Sequence, residues 1–131
     1  MRFTPQLRTF DWLVARPIAH RGLHDQNKGI LENTAGAFEA AIKGTYAIEC
    51  DVHLTAAGEA IVFHDDDLDR LTEAKGPVKA LSTQALQMVK LNGTPNRMQT
   101  LAEMLEQVAG RVTLVIELKS LWDGDDALAK R

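Results

Sequence analysis

The chain is poor in the features that would assign it to several large protein classes. Cys50 is the only cysteine in 131 residues, which excludes an internal disulfide and fits a reducing compartment. There is no basic excess. The formal charge of -3 leaves no positive face of the kind nucleic-acid binding needs. Long apolar runs are also missing: the first 17 residues hold no uninterrupted hydrophobic stretch, and nothing later approaches the roughly 18 residues that a membrane span requires. Internal repeats and low-complexity linkers do not occur. What remains is 45% apolar and 25% charged, an ordinary composition for one globular domain spanning residues 1–131, expected to be soluble and cytoplasmic.

Strand-like and helix-like segments alternate along this domain. Residues 17–21 form a short extended run, followed by a polar loop over 22–29. A helix over 33–43 is predicted from the apolar stripe of Phe38, Ala41 and Ile42, with Asn33 or Thr34 as its cap and Gly44 as its stop. In the strand predicted over 46–55, alternation turns Glu49, Asp51 and His53 to one face and Ile48, Cys50, Val52 and Leu54 to the other. The strand over 60–64 follows too closely for a crossover, so the pair must be an antiparallel hairpin. A turn centred on Ala57-Gly58 pairs residue 54 with 61 and sets His64 opposite Asp51, whereas a slip of one residue turns His64 away.

A short helix is expected from Ser82 to near Gly93. A second follows from the T-x-x-E capping box of Thr100 and Glu103, with Leu101, Met104, Leu105 and Val108 on one face and Gly110 as its end. Residues 113–118 read as a strand buried on both sides, apart from the face shared by Glu117 and Lys119. Residues 123–131 read as the first turns of another helix. This order predicts βαβ units on a parallel sheet, whose reactive groups gather at the carboxyl ends of the strands. His20, Glu49, Asp51, Glu117 and Lys119 all fall there, and charge beside β-branched runs is expensive without a ligand.

The motifs H-R-G (20–22), E-N-T (32–34), I-E-C-D-V-x-L-T (48–55), V-F-H-D-D-x-L-D-R-L-T (62–72), T-L-x-E-M-L (100–105) and I-E-L-K (116–119) occur in one order along nearly the whole chain. Together they resemble the glycerophosphodiester phosphodiesterases. The resemblance implies an α/β fold, a partial TIM-type (β/α) barrel with a β-hairpin cap inserted after the second strand, the insertion covering residues 52–95. It implies divalent-metal ligands at Glu49, Asp51 and Glu117, paired catalytic histidines at His20 and His64, and phosphate-binding groups at Arg21 and Lys119. The implied reaction is hydrolysis of a glycerophosphodiester to glycerol phosphate and an alcohol.

The chemistry agrees on its own terms. Three carboxylates repel an anionic phosphodiester unless a hard cation, Mg²⁺ or Ca²⁺, lies between them. A guanidinium and an ammonium suit the remaining oxygens, and two imidazoles suit proton transfer near neutrality. No hydrophobic lid or basic amphipathic helix argues for a bilayer substrate, which favours a small head-group diester over the related phospholipases. The family's usual turn Asp is replaced in Thr55-Ala56-Ala57-Gly58. A closed TIM barrel takes about 250 residues, and this chain reaches only what would be its third strand. The alternative is therefore a half-barrel that binds metal or phosphate without full activity, or that associates through its open edges to complete the fold. Duller roles fall to Cys50 as a core thiol, to His24 and His53 as loop and rim residues, to Glu32 and Asn33 as shapers of the first helix start, and to Asp65–Asp67 as a solvated run.

Overall fold

The computed structural model describes residues 10–120 and 123–130. Four strands, β1 (Ile18–His20), β2 (Ala47–Leu54), β3 (Ala60–Val62) and β4 (Leu114–Leu118), form one sheet with β2 at its centre. Strands β1 and β4 run parallel to β2, and β3 returns antiparallel along its last residues. Four α-helices accompany them among the described residues: α1 (Asp11–Val14), α2 (Ala35–Lys43), α3 (Thr83–Met88) and α4 (Leu101–Val108). Helix α1 lies in a stretch for which no element is predicted from the sequence.

Local chemistry sets the boundaries. Helix α2 starts two residues later than expected because Thr34 is its cap, accepting from the Ala37 N–H, and Gly44 closes it. Asn33 lies outside the helix with a positive φ of 54°. Helix α3 begins on the expected Ser82 cap but stops at Met88, where Val89 turns extended. Both bonds of the capping box open α4, and Ala109 and Gly110 end it with left-handed backbone. Met104 and Val108 are buried as expected, but Leu105 is exposed on the outer side of the helix.

The alternation of β2 is as expected. Ile48, Cys50 and Val52 join Phe38, Ala41, Val62, Met104 and Val108 in one apolar cluster between the sheet and helices α2 and α4. A second cluster, with Leu31, Ile61, Phe63, Leu68, Val78, Leu86 and Met98 among its members, lies largely within residues 60–98.

Three expectations need correction. The β2–β3 register is one residue shorter than a two-residue turn gives: Leu54 faces Ala60, and Thr55 meets Glu59 across the three-residue loop Ala56-Ala57-Gly58. The cause is Gly58 with φ 77°, whose N–H bonds the Thr55 carbonyl, while the Thr55 hydroxyl takes the N–H groups of Ala57 and Glu59. Asp51 therefore pairs with Phe63, whose N–H donates to its carbonyl, and β3 ends before His64. Strand β4 is half-exposed, Leu118 at 46%, because it pairs only with β2 among the described residues. Residues 123–130 make turns in place of a helix, since Asp123 and Asp125 capture the N–H groups of Asp125 and Ala127; Arg131 lies outside the described residues.

Candidate active site at the strand ends

The sheet register assembles the acidic groups. His20 on β1 is level with Glu49 on β2, and Asp51 on β2 is level with Glu117 on β4. Oxygens of Glu49, Asp51 and Glu117 lie within 4.8 Å of one another, a group able to hold a metal ion. Asp51 is fully buried and Glu49 nearly so, whereas the Glu117 side chain is 54% exposed. Asp51 Oδ2 accepts from Asn33 Nδ2 at 3.0 Å, and Glu49 Oε2 accepts from the Arg21 N–H at 2.9 Å.

The other oxygen of each, Asp51 Oδ1 and Glu49 Oε1, is buried with no hydrogen-bond partner among the described residues. The Lys119 ammonium is 3.5 Å from Asp51 Oδ1 and bonds Glu117 Oε1 at 2.8 Å. Buried carboxylate oxygens without a hydrogen bond are expensive, and two of them on members of one acidic group, with only the Lys119 ammonium at 3.5 Å from one, fit a site for a hard cation.

Electrostatics point the same way. Burial pushes the Glu49 carboxyl above its ordinary pKa, reinforced by the charges of Asp51 and Glu117 and opposed by the Arg21 N–H and His20. Glu117 is held below the ordinary range chiefly by its bond to Lys119, with His64 contributing. Lys119 is raised: burial works against its charge, but Glu117 and Asp51 outweigh that.

The two histidines flank this cluster. His20 is 68% exposed, its Nε2 3.9 Å from Glu49 Oε2. His64 shares a groove with Glu117, Lys119, Asp65 and Arg70, so leaving the sheet at Phe63 still brings it to the acidic rim despite the changed register. Arg21 spans two acids, with Nη1 3.0 Å from Glu32 and Nε 3.7 Å from Asp51.

Several members of this neighbourhood were not legible as site residues. Asn33 brackets Asp51, donating to its carboxylate and accepting from its N–H. Glu32 is buried between Arg21 and Arg70; burial alone would raise its pKa, but the two guanidiniums bring it below the ordinary value. Asp65 is not a solvated side chain: Arg70 and His64 hold its pKa down at about 2. His53 is buried rather than a rim residue, its Nε2 2.8 Å from the His64 carbonyl. The E-N-T and H-D-D-x-L-D-R strings contain Glu32, Asn33, Asp65 and Arg70, yet Glu32 and Arg70 meet across 38 positions, a pairing that no local periodicity reports. Cys50 is the core thiol expected, its pKa pushed up to about 12 by burial.

The H-R-G motif has a steric reason as well. Arg21 takes a left-handed conformation at φ 59°, which aims its N–H at Glu49, and Gly22 follows at φ 78°. A Cβ on Gly22 would lie 2.8 Å from the Ala37 Cβ and 2.9 Å from its backbone carbon. Gly22→Ala is expected to destabilise the fold by about 2–4 kcal/mol in urea denaturation, from backbone strain and overpacking together. A loss under about 1 kcal/mol would mean that the loop and helix α2 separate easily.

Parallel strands ending in carboxylates and histidines, with a hairpin after the second, define part of a TIM-type α/β barrel. Solved structures agree. The glycerophosphodiester phosphodiesterase of Agrobacterium tumefaciens superposes with a TM-score of 0.70 at 32% identity, over 80% of this chain and 47% of that one. An Oleispira antarctica phosphodiesterase, solved with the product sn-glycerol-3-phosphate, gives 0.69 at 28% identity, over 79% and 44%. The chain matches the glycerophosphoryl diester phosphodiesterase family over residues 20–128, and it belongs to that family. A glycerophosphodiester phosphodiesterase of Caldanaerobacter subterraneus subsp. tengcongensis is 37% identical over 113 residues, 79% of this chain and 44% of the relative. The chain thus spans less than half the length of such relatives.

Proposed function

We propose that this chain carries the metal- and phosphate-binding part of a glycerophosphodiester phosphodiesterase, hydrolysing its substrate to glycerol phosphate and an alcohol. The observation that carries the reading is the convergence of Glu49, Asp51 and Glu117 with two buried oxygens that have no hydrogen-bond partner among the described residues. These three residues would hold Mg²⁺ or Ca²⁺, which when bound offsets the negative charge of the phosphoryl oxygens. Lys119 and Arg21 supply further positive charge at the same rim. His20 and His64 exchange protons with the attacking nucleophile and the departing alcohol. Residues 1–131 act as one domain, with 52–95 as a cap supported by the separate apolar cluster beneath residues 60–98.

The partner is a small diester, not nucleic acid, in keeping with the acidic net charge. Among the described residues no helix is long and apolar enough to cross a membrane. A cytoplasmic location fits the free, buried Cys50 thiol.

The test is an assay of purified chain with glycerophosphocholine and Mg²⁺ or Ca²⁺. Chelation with EDTA is expected to abolish turnover, and His20→Ala to lower kcat by about 10²-fold or more. A folded chain inactive with every divalent cation would end the proposal for this chain alone. One observation favours a second reading, a half-barrel needing association: β1 and β4 each pair only with β2 among the described residues, with Ile18 and Leu118 exposed. Sedimentation analysis distinguishes it, since that reading requires activity to rise with assembly.

A further inference from the structure

A continuous series of charged contacts runs from His64 to Arg21. His64 Nδ1 is 2.7 Å from Asp65 Oδ1. Asp65 holds Arg70 through Nε at 2.7 Å and Nη2 at 3.0 Å. Arg70 in turn holds Glu32 through Nη2 at 2.7 Å and Nη1 at 3.3 Å, and Glu32 Oε1 accepts from Arg21 Nη1 at 3.0 Å. Each end of the series is a group to which the preceding reading gives a role, and the middle touches none of the carboxylates assigned to the cation.

An ionised carboxylate accepts hydrogen bonds and donates none. Two bonds from the Arg70 fork keep Asp65 ionised and fix the plane of its oxygens. The short contact to His64 therefore has to be Nδ1–H donating to Oδ1, which leaves Nε2 to carry the lone pair. The backbone of His64 is pinned separately, its carbonyl accepting from His53 Nε2. With both backbone and ring held, little tautomeric freedom remains.

We propose that Asp65, clamped by Arg70 and Glu32, is a positioning residue that fixes His64 in the Nδ1–H tautomer and so makes Nε2 its proton-exchanging atom. The proposal deepens the phosphodiesterase reading and rests on it for the use of that nitrogen. The tautomer itself is a property of the chain without substrate or cation.

Long-range ¹H–¹⁵N spectra of the imidazoles test it, recorded about two units above the ordinary histidine pKa of about 6.5, with His64→Gln to assign the signals. Expected is a pyrrole-type Nδ1 and a pyridine-type Nε2 for His64 in the unsubstituted chain. Asp65→Ala should move the tautomer ratio toward Nε2–H by about tenfold, the loss of one charge-assisted hydrogen bond. Arg70→Ala should move it less, and Arg70→Lys, which keeps charge but not the fork, least. Unchanged His20, His24 and His53 signals verify that the variants fold. A His64 protonated on Nε2 in the unsubstituted chain overturns the proposal without any variant, as does an Asp65→Ala ratio that does not move. An inactive chain with the expected tautomer would end the phosphodiesterase reading for this chain alone and leave the fixing of the His64 tautomer by Asp65 standing.

Discussion

Asp51→Asn is expected to remove the response of this protein to divalent cations and to lower kcat/KM by about 10³–10⁴-fold. Asp51 is the central ligand candidate: fully buried, one oxygen held by Asn33, the other without a hydrogen bond and 3.5 Å from the Lys119 ammonium. A cation at a hundred times its Kd stabilises a folded chain by about 2.7 kcal/mol, which for a domain of this size raises Tm by about 10 °C. The amide offers one acceptor and no charge, so that rise should vanish. The fall in kcat/KM follows from losing the several kcal/mol of charge stabilisation that a bound metal provides. Differential scanning calorimetry with and without Mg²⁺ and Ca²⁺, on both proteins, reads the first effect. A rise of equal size in Asp51→Asn would show that the cation binds elsewhere, and the assignment of Glu49 and Glu117 would fall with that of Asp51.

That these acids could be picked out beforehand has a simple physical reason. Glu49 and Asp51 are two positions apart, with only Cys50 between them, on a strand whose other face is wholly apolar, and period-two alternation commits them to one side. Glu117 joins them because parallel pairing brings equivalent strand ends level. The hairpin register was a different kind of problem. A single left-handed glycine and the Thr55 hydroxyl decided between a two- and a three-residue loop, and both loops fit the same string of residues.

The Glu32–Arg70–Asp65 series was invisible for a third reason. Its members come from the loop before α2 and from the segment after β3, and their partnership exists only once these two segments have folded together. Charged residues in such loops look solvated in a sequence, because exposure is the usual state of an unpaired charge and the pairing is tertiary. Exposure of β4 is tertiary too: its apolar composition fits a strand covered on both faces, but the described residues cover only one edge.

Phe38→Ala is expected to cost about 3–5 kcal/mol, a large part of the 5–15 kcal/mol that holds a typical domain folded. Helix α2 is nine residues long, too short to persist by propensity alone, so its stability has to come from the face it buries. Phe38 is the largest side chain on that face, fully buried in the cluster with Ile48, Met104 and Val108. The sheet and α4 bound the site, and a cavity there cannot close without moving one of them. The consequence reaches the candidate site, because the segment leading into α2 carries Glu32 and Asn33, and Gly22 lies so close to Ala37 that an added Cβ would clash with it. Urea denaturation should therefore show the full loss for Phe38→Ala, about 1.5 kcal/mol or less for Phe38→Leu, and a change within about 0.5 kcal/mol for the exposed Leu105→Ala. Cation affinity in Phe38→Ala should fall as well, since the Asn33 bond that orients Asp51 depends on α2 staying docked. Equal, small losses for Phe38→Ala and Leu105→Ala would mean that α2 is not held by this cluster, and the placement of Asn33 against Asp51 would need another cause.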